Sequence, residues 1–282
     1  MTPLEHFPAK AGSIGIFDSG YGGLTILDAI RHELPQYDYL YLGDNARAPY
    51  GPRSFSVVYD FTRQAVEHLF KEGCQLVILA CNTASAKALR TIQQRDLPLW
   101  DPSRRVLGII RPTAEVIGTL TATRHIGVLA TEGTIRSDSY RLEIEKLWPG
   151  ITVSGKACPL WVPLVEMGEA QSPGADYFVQ KYINELITAD PLIDAVILGC
   201  THYPLLLPKI RQFMPPAIRV IPQGSYVATS LADYLHRHPD MEQRCSQHAT
   251  VRYLTTEDPQ KFSQQARLFL SQADIQAEHI VL

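Results

Sequence analysis

Two hydrophobic periods alternate along this chain. Short runs of Val, Ile and Leu end abruptly in polar residues, and segments with apolar positions every third or fourth residue follow them. The first run, Ile14-Gly15-Ile16-Phe17, reads as a buried strand. It ends in Asp18-Ser19-Gly20-Tyr21-Gly22-Gly23, after which Leu24, Ile26, Leu27 and Ile30 keep helical spacing up to Pro35. A second strand, Tyr37 to Leu42, leads through Gly43-Asp44 into a loop holding Ala48-Pro49-Tyr50-Gly51-Pro52. Val58, Phe61, Ala65 and Leu69 mark one face of a helix that Gly73 stops. Leu76 to Ala80 is a strand ending at Cys81-Asn82-Thr83, and Ala86, Leu89 and Ile92 form the apolar face of the helix behind it.

The pattern restarts beyond Pro98-Leu99-Trp100-Asp101-Pro102. Val106 to Ile110 is expected as a strand with Pro112 behind it, and Ala114 to Leu120 as a helix. His125 to Ala130 is a strand running into Thr131-Glu132-Gly133-Thr134, and Ala195 to Gly199 is another, ending at Cys200-Thr201-His202. Residues 236–248 are polar and read as a loop. Val251 to Thr255 (a strand), Pro259 to Leu270 (a helix) and His279 to Leu282 are expected to complete the first sheet, while residues 1–12 read as a loose tail.

Strands alternating with helices of this length predict an α/β fold with parallel sheets. Ligands of such sheets sit beyond the carboxyl ends of the strands. Asp18-Ser19, Asp44, Cys81-Asn82-Thr83, Thr131 and Cys200-Thr201-His202 should therefore share one side. The two cysteine strand-ends lie 119 positions apart (200 − 81), and the strands beginning near Ile14 and Ile126 lie 112 apart (126 − 14). Two strand-ends recurring in the same order at nearly the same offset imply a duplicated unit. The expected organisation is two similar parallel-sheet α/β domains related by a pseudo-two-fold, with the site in the cleft between them. Residues 1–110, completed by 222–282, would form the first domain, and 111–221 the second.

Composition narrows the partners. Hydrophobic residues make up 45% of the 282 and charged ones 20%, which suits a globular protein. The net charge of −3 and the absence of a basic block exclude a dedicated nucleic-acid binder and offer nothing to an anionic membrane. Five scattered cysteines with no C-x-x-C pair disfavour a disulfide framework and a structural zinc site. The N-terminus lacks the pattern of a signal peptide, and a cytoplasmic location is the expectation.

A free thiol near 8.5 needs roughly 2 kcal/mol of differential stabilisation to reach 7, and a helix N-terminus supplies part of that. Cys81 has the helix directly behind it, whereas Pro204 and Pro208 delay the one behind Cys200. Cys74 and Cys245 read as core residues, and Cys158 leans the same way. The cluster Gly20-Tyr21-Gly22-Gly23 outlines a dinucleotide turn, but Thr25 stands where the third glycine should pack and Asp18 would repel a pyrophosphate. The glycines more plausibly let backbone approach a small ligand beside Ser19. Asp18 is alternatively an N-cap, His202 a satisfied polar residue, and Glu166 a helix-start acid.

The motifs Phe17-Asp18-Ser19-Gly20-Tyr21-Gly22-Gly23, Gly43-Asp44 through Pro49-Tyr50-Gly51, Cys81-Asn82-Thr83-Ala84, Cys200-Thr201-His202-Tyr203-Pro204, Cys158-Pro159 through Glu166, and Leu254-Thr255-Thr256 resemble those of glutamate racemases. Thr113 after Pro112 departs from the pattern, which has a glycine there. The resemblance implies interconversion of L- and D-glutamate with no cofactor and no metal, supplying D-glutamate for peptidoglycan. Cys81 and Cys200 would be the two acid/base residues, Asp18 assisting the first and His202 and Glu166 the second. Asp18, Ser19, Tyr50, Gly51, Asn82, Thr83, Thr201 and His202 would hold substrate, with Thr131 and Thr134 as further hydroxyls. The partner would be the small molecule glutamate, with neither nucleic acid nor membrane, and a homodimer is left open.

Inverting a carbon through a planar carbanion needs a base on one face and an acid on the other, which paired strand-ends provide. Hydroxyls and backbone N–H groups would take the place of Arg and Lys at the two carboxylates, about 1.5–3 kcal/mol per charge-assisted bond. A carboxylate raises the pKa of a neighbouring thiol, so Asp18 and Glu166 cannot themselves favour a thiolate. Racemisation of aspartate, a nucleotide-dependent oxidoreductase built on the glycine turn, and a non-catalytic binding protein remain as alternatives.

Overall fold

The computed structural model describes residues 10–270 and 275–282. Strands β1 (Ile14–Asp18), β2 (Tyr39–Gly43), β3 (Leu76–Leu79) and β4 (Arg105–Gly108) form the body of one sheet. Strands β5 (His125–Ala130), β6 (Thr152–Ala157), β7 (Ala195–Gly199) and β8 (Arg219–Ile221) form a second, and β9 (Val251–Thr255) and β10 (Ala277–His279) return to the first. The orders are β10-β9-β2-β1-β3-β4 and β6-β5-β7-β8, parallel at every pairing. The run β2-β1-β3-β4 of the first sheet thus repeats the order of the second. Register repeats as well: Gly15 pairs with Val77 as Gly127 pairs with Val196, the same offsets of 112 and 119 that the sequence displays.

Both sheets are covered on two faces, so successive residues of a strand enter different cores. Ile14, Ile16, Tyr39, Tyr41, Leu76 and Ile78 face one side of the first sheet. Phe17, Leu40, Leu42, Val77 and Leu79 face the other, against the helix Phe55–Lys71. In the second sheet Ile126, Val128, Ala195 and Ile197 alternate with Leu129, Val196 and Leu198. The core holding Ile14 and Leu24 also holds Val196, Leu198 and Trp161, so apolar packing is continuous from one unit to the other. Each fully buried side chain of this kind contributes about 1.5–3 kcal/mol. Among the described residues no helix is long and apolar enough to cross a membrane.

The chain passes between the units at two places. Ile109 leads into the helix Ile110–Leu120, whose Ile110, Ala114 and Ile117 pack on the second sheet. Gln223 leads into the helix Gly224–Arg237, which returns Val227, Ala228 and Leu231 to the core beside the helix Leu24–Glu33.

Several boundaries differ from the sequence reading. β2 starts at Tyr39, and the Asp38 N–H before it bonds to the carbonyl of Ser246. Pro112 lies inside the first turn of its helix, where a missing N–H costs nothing, so β4 ends earlier than expected. Residues 236–248 are only partly loop: one helix runs to Arg237, with basic residues in its last turn, and another spans Pro239–Glu242. Gly12 is not loose, since it bridges to Cys245; residues 1–9 of the expected tail lie outside the described residues. The last strand is Ala277–His279 and not His279 to Leu282.

Asp38 ties the incoming edge of β2 to the segment before β9. Its carboxylate accepts from His248 N (3.1 Å), His248 Nδ1 (2.7 Å), Thr250 N (2.9 Å) and Thr250 Oγ1 (2.6 Å). Burial by itself would raise its pKa, but the bonds from Ser246, Thr250 and His248 prevail and hold the carboxyl well below the usual range. That stabilisation is present above the unfolded value near 3.9 and is lost as pH falls through the depressed folded value. Asp38→Ala should lower unfolding free energy by about 1–3 kcal/mol at pH 7, with the gap narrowing as pH drops toward 2. Urea titrations across that range check it; a gap that stays constant in acid would contradict the assignment.

Candidate active site

The strand-ends of both units face each other. β3 delivers Cys81 as the N-cap of the short helix Asn82–Lys87, where its sulfur accepts from the Ala84 N–H at 3.4 Å. Ser19, at the end of β1, brings Oγ to 3.3 Å from the same sulfur. Asp18 beside it is buried, with Oδ2 accepting from the Gly20 N–H at 2.9 Å. The helix terminus does not lower the thiol pKa as the sequence reading expected. Burial first and the Asp18 charge second push Cys81 up to about 12; the Ser19 and Ala84 hydrogen bonds only moderate the rise. Asp18 is raised too, by burial, which the His202 charge and the Gly23 and Gly20 amides offset in part.

Cys200 is built differently. A 3-10 turn, Tyr203–Leu206, and then the helix Leu207–Phe213 follow it, so no first-turn amide reaches its sulfur in the way Ala84 reaches that of Cys81. His202 stands there instead, Nδ1 3.9 Å from Sγ and Nε2 2.9 Å from Glu166 Oε1. Burial would depress this imidazole, but Cys200 and Glu166 outweigh it and raise His202 to about 10. Glu166 closes the helix Trp161–Glu166 and does not start it. A carboxylate gains nothing from the dipole at that end; its partner is His202.

Three hydroxyls bridge the units above the sulfurs' strands. Thr83 Oγ1 lies 2.9 Å from Thr131 Oγ1 and 3.4 Å from Thr134 Oγ1, and the last two are 3.1 Å apart. Thr131 also caps its own helix, Glu132–Arg136, by accepting from the Thr134 N–H. Gly51 packs on Thr131, and Thr201 accepts through its carbonyl from Thr25 Oγ1 at 3.0 Å. Thr25, which the dinucleotide pattern could not use, thereby ties the units together. Two expected substrate contacts are otherwise engaged. The Tyr50 hydroxyl is buried on Asp44, and the Asn82 amide is bonded to Gln223 and Tyr140.

Within the glycine cluster, Gly22 lies against the other unit and Gly23 against Asp18 of its own. A Cβ on Gly22 would stand 2.4 Å from both His202 Nδ1 and Thr201 Oγ1, and one on Gly23 would stand 2.5 Å from Asp18 Cβ. Cys74 and Cys245 are buried core residues, as the sequence reading held, and Cys158 is buried near enough to Cys200 for that sulfur's charge to raise its pKa. Gln223, Tyr140 and Phe269, whose ring meets His202 edge-on at 5.4 Å, were not legible as site neighbours, because no motif or period surrounds them. Thr113, where a glycine was expected, is buried with its hydroxyl 3.3 Å from Gln223 Nε2, so its side chain has a partner. A separate cavity of about 760 Å³ borders Ser85 to Lys87 and is lined by Arg90, Arg111, Glu143 and Lys146; it contains neither site sulfur.

Comparison with known proteins places this geometry among relatives. Residues 24–231 match the family model described as Asp/Glu/Hydantoin racemase. A glutamate racemase of Ruegeria pomeroyi is 40% identical over 268 residues, covering 92% of this chain and 96% of that protein. The crystal structure of glutamate racemase isoform RacE1 from Bacillus anthracis superposes with a TM-score of 0.87 at 32% identity, covering 97% of this chain and 98% of that one. A glutamate racemase from Francisella tularensis, solved in complex with D-glutamate, gives 0.84 at 30% identity, covering 96% and 98%.

Gly22→Ala should displace the side chains of Thr201 and His202, with activity falling at least tenfold, about 1.4 kcal/mol, while the fold persists. Circular dichroism and turnover measured together check this, and an unimpaired Gly22→Ala enzyme would show that the contact is loose. The charged His202 pair stabilises the fold fully below its ordinary value of about 6.5 and loses that contribution as pH rises through about 10. His202→Asn should therefore lower the melting temperature most near neutral pH and least above pH 10. A melting gap independent of pH would exclude a protonated His202.

Proposed function

Because the chain belongs to the glutamate racemases of the Asp/Glu/Hydantoin racemase family, we propose that it interconverts L- and D-glutamate by proton transfer between Cα and the sulfurs of Cys81 and Cys200. One observation carries the reading: two buried cysteines end equivalent strands of two repeated units, each with its own acid–base neighbours. A thiolate on one face takes the Cα proton, breaking C–H and forming S–H. The carbanion flattens into conjugation with its carboxylate, and the thiol on the opposite face returns a proton. Each turnover leaves the pair with its protonation states exchanged, so their titrations are coupled.

The neighbours divide the work. Cys81, held protonated by burial and Asp18, is the donor in the resting enzyme, and Ser19 orients its S–H. His202, backed by Glu166, is the group through which a proton reaches or leaves the Cys200 side. The hydroxyls of Thr83, Thr131 and Thr134, with that of Ser19, supply donors for the substrate carboxylates. Tyr50, Gly51, Asn82 and Thr201 would contribute through backbone, since Tyr50 and Asn82 have their side chains committed elsewhere. Only 6% of either cysteine is exposed, so the units move apart to admit substrate. The product D-glutamate would feed peptidoglycan synthesis.

Purified protein incubated with L-glutamate in D2O, with no cofactor added, should yield D-glutamate carrying deuterium at Cα. Inversion without label, or no inversion, defeats the proposal, and a higher kcat/KM for aspartate would reassign the substrate. Cys81→Ser and Cys200→Ser should each lose racemisation by at least about 100-fold while melting within a few degrees of the parent, since a serine hydroxyl is a far weaker acid than a thiol. Wild-type turnover in either variant would remove that cysteine from the mechanism.

A further inference from the structure

Asn82, Tyr140 and Gln223 form a closed ring of hydrogen bonds between the two units, and we propose that this ring sets the separation of Cys81 and Cys200. The inference rests on the two-cysteine reading above. Tyr140 donates its hydroxyl to Asn82 Oδ1 at 2.7 Å, Asn82 Nδ2 donates to Gln223 Oε1 at 2.7 Å, and Gln223 Nε2 donates to the Tyr140 oxygen at 2.7 Å. Each of the three gives one bond and takes one. All are buried, at 2%, 4% and 2% exposure for Asn82, Tyr140 and Gln223. A closed cycle of this kind polarises every bond in the same sense.

What the ring joins gives it a role. Asn82 is the residue after Cys81 and belongs to the first unit. Tyr140 belongs to the helix Ser139–Leu147 of the second, and its ring packs on Gly199, the residue before Cys200; a Cβ there would lie 3.0 Å from Tyr140 Cε2. Gln223 sits at one crossover between the units, and its amide also donates to the carbonyl of Ile109, at the other crossover, at 2.9 Å. The ring therefore connects both sulfur-bearing strand-ends to both crossovers. Apolar side chains would fill the same space with fewer conditions, since burying three polar groups costs free energy unless every bond is made. What the polar version adds is orientation: it is satisfied in one relative placement of the units. The ring residues are positioning residues, acting through the backbones of Cys81 and Cys200.

The test compares Tyr140→Phe, Gln223→Leu and the double variant in both reaction directions, recording kcat, KM, the Cα-deuterium isotope effect and the melting temperature. Breaking the ring should lower kcat about 10- to 100-fold with KM within about threefold, because displaced sulfurs slow proton transfer more than they weaken binding. The isotope effect should rise in both directions, and the double variant should be no worse than the poorer single, since either change opens the ring. Three results would overturn the proposal: kcat retained within about twofold while only the melting temperature falls, a raised KM with kcat retained, or additive losses in the double variant. If Gln223→Leu fails to fold, Tyr140→Phe, which removes one oxygen and keeps the ring shape, decides alone. A parent protein that does not racemise glutamate rejects the function, whereas an active parent with indifferent variants rejects only the ring.

Discussion

Exclusion of water from the facing strand-ends is the constraint on which the rest of this molecule depends. Burial alone disfavours charge on Cys81, Asp18 and His202. What each then does follows from its partners. Cys81 has two neutral donors and a carboxylate nearby, and burial prevails. His202 has a sulfur on one nitrogen and a carboxylate on the other, and the partners prevail. The same dry environment makes the Thr83–Thr131–Thr134 hydroxyls and the Asn82–Tyr140–Gln223 ring demanding, because a buried polar group left without a partner costs about 1–3 kcal/mol.

The two halves have kept their topology and diverged in their chemistry. Order and register are repeated strand for strand, yet Cys81 begins a helix directly and Cys200 does not. Prolines after Cys200 postpone the helix, and the space so created is occupied by His202 and its link to Glu166. An unlike pair suits a reaction in which one sulfur must be acid while the other is base. Closure between the halves depends on small residues: Gly22 admits His202 and Thr201, and Thr25 bonds across the junction.

Much of this was legible before any coordinates. Alternating short apolar runs and helical periods identified β1, β2, β3, β5 and β7, which are buried on both faces, whereas the edge strands β6 and β8, with exposed polar positions, carried no such signal. The abrupt change at Cys81-Asn82-Thr83 and Cys200-Thr201-His202 marked the site, since a strand that turns polar at its carboxyl end has reached the ligand side of a parallel sheet. Near Pro112 the apolar run reads as strand although Ile110 already belongs to the helix, and in 236–248 polar composition reads as loop where helices stand. Gln223 and Tyr140 were invisible because their meaning lies in each other and in Asn82, at separations of 83 and 141 positions for the bonds Gln223 makes with them.

Residue order by itself determined the repeat, the parallel sheets and the two thiols at equivalent strand-ends, because those follow from local periodicity and covalent sequence. Tertiary structure alone decided the proton affinities and the alignment of the site. The helix behind Cys81 argued for a lowered thiol pKa, and burial beside Asp18 reversed the sign. One glycine of the cluster that resembled a phosphate turn, Gly22, is also the clearance for a histidine from the other half. Charge in a folded protein is set by what surrounds a group in three dimensions, and no stretch of sequence around Cys81 contains Cys200, His202 or the water that folding removes.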